Sequence, residues 1–146
     1  MMTRIDARDR LIVALDVPSA AEADALVARM GDQVRFVKVG LELYTVAGPD
    51  IVRKLVDRGK RVFLDLKFLD IEETVRRATA RVAAMGATFL TVHANRKALI
   101  AAVQGRGSSD LKLLAVTVLT NFDGEDLREM GIQRSVQDLV TARAML

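Results

Sequence analysis

Five short apolar, β-branched runs divide the chain at a nearly constant interval, and no other feature constrains the fold as tightly. The runs are residues 11–15 (LIVAL), 34–39 (VRFVKV), 61–65 (RVFLD), 88–92 (TFLTV) and 111–118 (LKLLAVTV), with starts 23, 27, 27 and 23 residues apart. Helical periodicity fills the gaps. Its clearest instance is Ile71, Val75, Ala78, Val82 and Met85, at spacings of 4, 3, 4 and 3, with Arg76, Arg77 and Arg81 on other faces. Gly31, Gly59 and Gly86 fall where a left-handed helix C-cap favours glycine. Strand and helix alternating at this pitch predict βα units and a parallel sheet in one domain, residues 1–146. Eight such units need roughly 200 residues, near the lower bound of a (β/α)8 TIM barrel. Five units also suffice for a complete doubly wound sheet, and length alone favours that.

Composition narrows the chemistry. Hydrophobic residues make up 51% and charged residues 28% of the chain, which fits a folded globular protein and excludes disorder. Aromatics are 4% and Trp is absent, so aliphatic side chains must fill the core. The absence of cysteine excludes disulfides, thiolate zinc sites and cysteine nucleophiles, and the single histidine excludes a His-rich metal cluster. Lys and Arg number 22 against 19 Asp and Glu, a net charge of only +3. The densest basic stretch, Arg53-Lys54 through Arg58, Lys60 and Arg61, closes a predicted helix, where cations suit the dipole. It is not expected to bind nucleic acid. The polar start shows no targeting segment, and no run approaches the ~20 apolar residues of a membrane span. A cytoplasmic protein without membrane contact is expected.

Ligands of parallel α/β sheets bind at the carboxyl ends of the strands. Those ends carry Asp16 on the first run, Lys38 before Gly40 on the second, and Asp65-Leu66-Lys67 leading to Asp70 on the third. Thr91 and His93 end the fourth, and Thr117 and Thr120 the fifth. Strand alternation places Asp65 and Lys67 on the face of Phe63, and Lys38 on that of Phe36. Each residue also has an ordinary structural reading. Asp70 and Glu73 form the spacing of a helix capping box, Asp65 and Lys67 that of a strand ion pair. Gly105-Arg106-Gly107 follows a helix and is no nucleotide loop. What stands out is the joint pattern of alternating charge: Lys38, Asp65, Lys67 and Asp70.

Asp65-Leu66-Lys67-Phe68-Leu69-Asp70-Ile71 resembles the Asp-x-Lys-x-x-Asp motif of the orotidine 5′-phosphate decarboxylase family. Leu15-Asp16-Val17-Pro18, Val37-Lys38-Val39-Gly40, Thr91-Val92-His93-Ala94 and Val116-Thr117-Val118-Leu119-Thr120 resemble its other strand ends, in order. The family often reads Phe-His-Asp-Ile-Pro-Asn-Thr after the lysine, where this chain has Phe68-Leu69-Asp70-Ile71-Glu72-Glu73-Thr74. The aspartate and threonine are kept. The resemblance implies a (β/α)8 TIM barrel, present as roughly its first five βα units. The phosphate-gripping loops then belong to the three units not seen, and the chain alone is expected to be inactive and prone to associate.

The resemblance further implies decarboxylation of orotidine 5′-monophosphate to uridine 5′-monophosphate, in pyrimidine biosynthesis, with no metal and no cofactor. It makes Lys67 the proton donor, places Asp65 near the substrate carboxylate, and has Lys38 and Asp70 complete the array. It assigns Asp16, Lys38, Asp65, Thr74 and Thr120 to substrate binding, with Asp70 and Thr74 reaching a neighbouring subunit's site in a homodimer. Two alternatives stay open: a magnesium-dependent sugar-phosphate decarboxylase or aldolase of the same superfamily, and a non-catalytic remnant or interaction module. Relatives of the first kind usually carry a glycine soon after the second aspartate, unlike Ile71-Glu72-Glu73.

Overall fold

The computed structural model describes residues 5–146. Five parallel strands, β1 (Ile12–Ala14), β2 (Phe36–Gly40), β3 (Arg61–Phe68), β4 (Phe89–His93) and β5 (Lys112–Val116), pair in sequential order. Between and after them run α1 (Ala20–Met30), α2 (Leu41–Ala47), α3 (Asp50–Asp57), α4 (Glu72–Ala84), α5 (Arg96–Arg106), α6 (Gly124–Glu129) and α7 (Val136–Ala144). That order separates the two folds left open by length. A doubly wound sheet reverses its strand order at a switch point and carries helices on both faces. Here each right-handed crossover steps to the next strand in the same direction, which puts the crossover helices on one face. This is the winding of a TIM barrel, five units of it.

Strand parity divides the labour. Val37 and Val39 on β2, Val62 and Leu64 on β3, and Leu90 and Val92 on β4 are fully buried against α1, α3, α4 and α5. Burial of each such aliphatic side chain contributes roughly 1.5–3 kcal/mol. The opposite parity lines the other face. There Phe89 stacks tilted on Phe36 at 5.1 Å and meets Phe63 edge-on at 5.9 Å, with the Arg61 guanidinium 4.6 Å above the Phe36 ring. These rings form an apolar floor below the carboxyl ends of the strands.

Several local expectations hold, and others are corrected. Ser19 caps α1, its hydroxyl accepting from the Glu22 amide at 3.2 Å. Gly59 and Gly86 adopt φ of 74° and 78° just beyond α3 and α4. The segment between β2 and β3 holds two helices, broken where Gly48 turns at φ 65° and Pro49 follows. The buried stripe of α4 is Val75, Thr79 and Val82, whereas Ile71 precedes the helix and is 73% exposed. The capping box does not form. The N-cap of α4 is Ile71, so Asp70 stands one residue too early and its carboxylate accepts from the adjacent Ile71 amide. The Glu73 side chain is drawn to Arg76 and Arg77 at 2.6–2.8 Å. Hydrogen bonds from those guanidiniums hold the Glu73 carboxyl down to about 2.

The basic stretch is neutralised locally: Lys54 and Arg58 pair with Asp24, Arg53 with Asp50 and Arg61 with Asp9. Lys60 donates to the Gly31 and Val34 carbonyls. Among the described residues, no helix is long and apolar enough to cross a membrane.

Gly105 lies inside α5, where the helix meets α4. A Cβ there would stand 2.2 Å from the Arg76 carbonyl oxygen, a backbone atom that cannot swing aside. Gly105→Ala is therefore expected to destabilise the fold by about 1–3 kcal/mol despite alanine's better helix propensity. Urea denaturation checks this, and an unchanged or raised midpoint would show that the helices separate freely.

Candidate active site

Two ion pairs occupy the carboxyl ends of β1 to β3. Lys38 Nζ reaches Asp16 Oδ1 at 3.0 Å, and Lys67 Nζ reaches Asp65 Oδ1 at 2.8 Å. The sheet register brings the pairs together, because Gly40 stands opposite Asp65. The first pair lies beside Gly40, where a Cβ would stand at ordinary contact distance, 3.5 Å, from both Asp16 Oδ1 and Lys38 Nζ. The second pair is the more enclosed: the Asp65 side chain is 16% exposed and Asp16 63%. Burial pushes the Asp65 carboxyl upward. Hydrogen bonds from Lys67 and Thr91, with the charges of Lys67 and Lys38, outweigh it and hold the group below the ordinary carboxylate value. Asp65 is thus an anion at neutral pH.

Asp65 and Lys67 meet through an irregular backbone rather than a regular strand. Leu64 pairs with Leu90 and Phe68 with Val92, so β3 spends four steps where β4 spends two. The two extra residues preserve parity: Leu66 and Phe68 pack on the helix-side core. Within this bulge Lys67 takes φ 49°, the one non-glycine residue at positive φ among those described. Such a conformation costs on the order of 1–3 kcal/mol and persists only where the surroundings over-determine it. Thr91 is one such surrounding, its hydroxyl accepting from the Lys67 amide at 2.9 Å and donating to Asp65 Oδ1 at 2.9 Å.

The remaining predicted residues stand apart from this pair of pairs. Asp70 and Thr74 are exposed and make no ion pair or hydrogen bond with Lys38 or Lys67 among the described residues. They nevertheless line, with Lys67, one groove of about 300 Å³. Thr120 is exposed in the turn after β5, and no hydrogen bond joins it to the others. A neighbouring cavity of about 230 Å³ is lined by His93, Asn95, Thr117, Phe122 and Arg143 among others. Burial there, reinforced by the Arg143 and Lys67 charges, lowers the His93 pKa and favours the neutral imidazole. Sequence reasoning missed Thr91 as part of the site. The signal was available: aligning Phe63 with Phe89 and stepping two residues sets Thr91 beside Asp65.

The arrangement offers a fixed ammonium beside a fixed carboxylate at a groove, suited to stabilising and protonating a developing carbanion. The comparisons with known proteins identify the family. The model of the "Orotidine 5'-phosphate decarboxylase / HUMPS family" matches residues 9–146. A relative from Nitrobacter winogradskyi named orotidine 5′-phosphate decarboxylase is 55% identical over 138 residues, 94% of this chain and 58% of the relative. One of the same name from a Bradyrhizobium species is 49% identical over 145 residues, 99% of this chain and 60% of the relative. The crystal structure of orotidine 5′-phosphate decarboxylase from Lactobacillus acidophilus superposes with a TM-score of 0.85 at 38% identity, over 92% of this chain and 64% of that one. An uncharacterized conserved protein from Geobacillus kaustophilus gives 0.86 at 39% identity, over 92% and 66%. The chain spans about three fifths of the length of the curated relatives it matches.

The strain at position 67 is testable apart from any activity. Lys67→Gly and Lys67→Ala remove the same ion pair, but only glycine accepts the left-handed backbone freely. Lys67→Gly is expected to be the more stable by about 1 kcal/mol. Equal midpoints in chemical denaturation would show that the bulge relaxes without strain.

Proposed function

The chain belongs to the orotidine 5′-phosphate decarboxylase / HUMPS family, and from that premise we propose that it carries the charged catalytic centre of an orotidine 5′-monophosphate decarboxylase. The observation that carries this reading is Lys67, fixed on a left-handed bulge with its ammonium 2.8 Å from Asp65. In the proposed reaction the bond between C6 of the pyrimidine and its carboxylate breaks. Carbon dioxide leaves, the electron pair stays on C6, and Lys67 Nζ delivers a proton to it. The product is uridine 5′-monophosphate. A fixed ammonium favours this step because its field acts where charge develops, with little reorganisation. No metal or cofactor is needed for this balance. Asp65 faces the departing carboxylate, and two like charges about 4 Å apart repel by roughly 4 kcal/mol at an effective dielectric near 20. Asp16 and Lys38 bind the nucleotide beside it, with Thr120 at its edge.

Asp70 and Thr74 belong, in this reading, to the site of a second subunit. Among the described residues no side chain pairs with either, Asp70 accepting from the Ile71 amide, and that supports the reading, as do the apolar neighbours Leu69 and Ile71, 58% and 73% exposed around Asp70. A homodimer covers both.

Because the chain spans 58% of its Nitrobacter relative, turnover is best assayed with the chain alone and with the unspanned portion of that relative added. Conversion of orotidine 5′-monophosphate that survives a chelator is the expected result of the complemented assay. Turnover confined to sugar phosphates with magnesium would overturn the reading in favour of the other branch of the family. In the same assay Lys67→Ala should abolish decarboxylation while leaving uridine 5′-monophosphate binding measurable by calorimetry. Equal loss of both would make Lys67 a binding group.

Asp70→Asn separates catalysis from structure. Asp70 makes no ion pair among the described residues, so the melting temperature should stay near that of the parent while turnover collapses. Near-parental turnover would remove Asp70 from the site.

A further inference from the structure

We propose that Thr91 is the positioning residue of the charged site, its one hydroxyl fixing both the backbone of Lys67 and the carboxylate of Asp65. Thr91 sits on β4, 5% exposed, with two hydrogen bonds of 2.9 Å to the two residues that carry the chemistry. The polarity of this arrangement is fixed by inventory. A backbone amide only donates, so the Lys67 N–H occupies a lone pair of Thr91 Oγ1 and leaves the hydroxyl proton free for Asp65. A third contact, from Lys67 Nζ to the same Asp65 oxygen at 2.8 Å, closes the ring. Three contacts thus tie both ends of the Lys67 residue, amide and ammonium, to one carboxylate and one hydroxyl.

The bulge explains why a side chain is needed there. In a regular parallel ladder the residues of β3 bond alternately to its two neighbours. The Val62 carbonyl accepts from Thr88 beside β4 and the Arg61 amide donates to Arg35 beside β2, so the Lys67 amide would also face β2 rather than β4. The two extra residues of β3 between Leu64 and Phe68 interrupt that ladder, and the threonine hydroxyl supplies the acceptor. Without it a part-buried amide in a strained conformation is left unpaired, and the lysine loses the contact that sets its direction. Valine has nearly the same shape and β-branching as threonine but no hydroxyl. Serine has the hydroxyl but not the methyl. The pair therefore separates a positioning role from a packing role.

The catalytic consequence rests on the decarboxylase reading, and the geometric one does not. The test uses the 146-residue chain with carboxyl-labelled aspartate, following Asp65 by carbon NMR through an acid titration. Thr91→Val should raise the Asp65 pKa, since the charged form loses a donor, while Thr91→Ser keeps it at the parental value. In the complemented turnover assay Thr91→Val should lower kcat about tenfold or more with little change in KM, the scale of one hydrogen bond to a charged group. Thr91→Ser should restore it. Should Thr91→Val fail to fold by circular dichroism, Thr91→Ala removes the hydroxyl without a methyl against the amide and takes its place. Parental Asp65 titration in the folded hydroxyl-less variant would overturn the proposal, as would serine proving as defective as valine. If the parent itself fails to turn over the nucleotide, the decarboxylase reading falls and the titration still decides the role of Thr91.

Discussion

The contact between Lys67 and Asp65 is what the rest of this structure has to accommodate. Two residues of one strand, separated by a single position, bring opposite charges within 2.8 Å. A regular strand sets such neighbours about 6.6 Å apart along its axis. A lysine side chain spans that distance without help, so what the bulge changes is direction, turning the Lys67 backbone into the left-handed region. The core around it supplies the constraint. Leu64 and Leu66 before the lysine and Phe68 after it are held on the helix side, so the extra length has nowhere to go but toward the open face.

Much of the fold was legible because parity and period are simple rules. The runs at 11–15, 34–39, 61–65, 88–92 and 111–118 each contain or overlap an observed strand, and their pitch anticipates the sequential order. The break at Gly48-Pro49 was legible in principle, since glycine and proline punctuate helices, yet short α2 and α3 have too few turns to show two separate periodicities. The stripe on α4 was read one turn too early. Ile71 fits the helical spacing, but the chain is still extended there, at ψ 150°, and spacing alone does not report where a helix begins.

The site was legible in composition and not in connectivity. Alternating signs at the strand ends identified Lys38, Asp65 and Lys67, but they did not reveal that Lys38 takes Asp16 as its closest partner. That choice depends on the register between β1 and β2, which places Ala14 beside Lys38. The bulge left no trace in sequence, since Leu64-Asp65-Leu66-Lys67-Phe68 alternates as a regular strand does. A rare backbone conformation at a lysine is a property of the fold around it.

The same constraint bears on how like-charge repulsion can act in a site of this kind. A carboxylate brought against Asp65 raises the energy of the bound state only if Asp65 cannot turn away or take up a proton. Both escapes are restricted here. Lys67 and Thr91 hold the same oxygen, Oδ1, so rotation would break two hydrogen bonds at once. Those bonds, together with the charges of Lys67 and Lys38, also keep the Asp65 pKa below its ordinary value, so protonation is opposed as well. The array of Asp16, Lys38, Asp65 and Lys67 is neutral as a whole, which lets four charges sit on one half-buried sheet face. An arriving anion meets no net charge there, only the local fields of the individual groups. In the proposed reaction it is the rigidity of that local field, set by a strained lysine and a buried hydroxyl, that would let repulsion at Asp65 and attraction at Lys67 act on different atoms of one substrate.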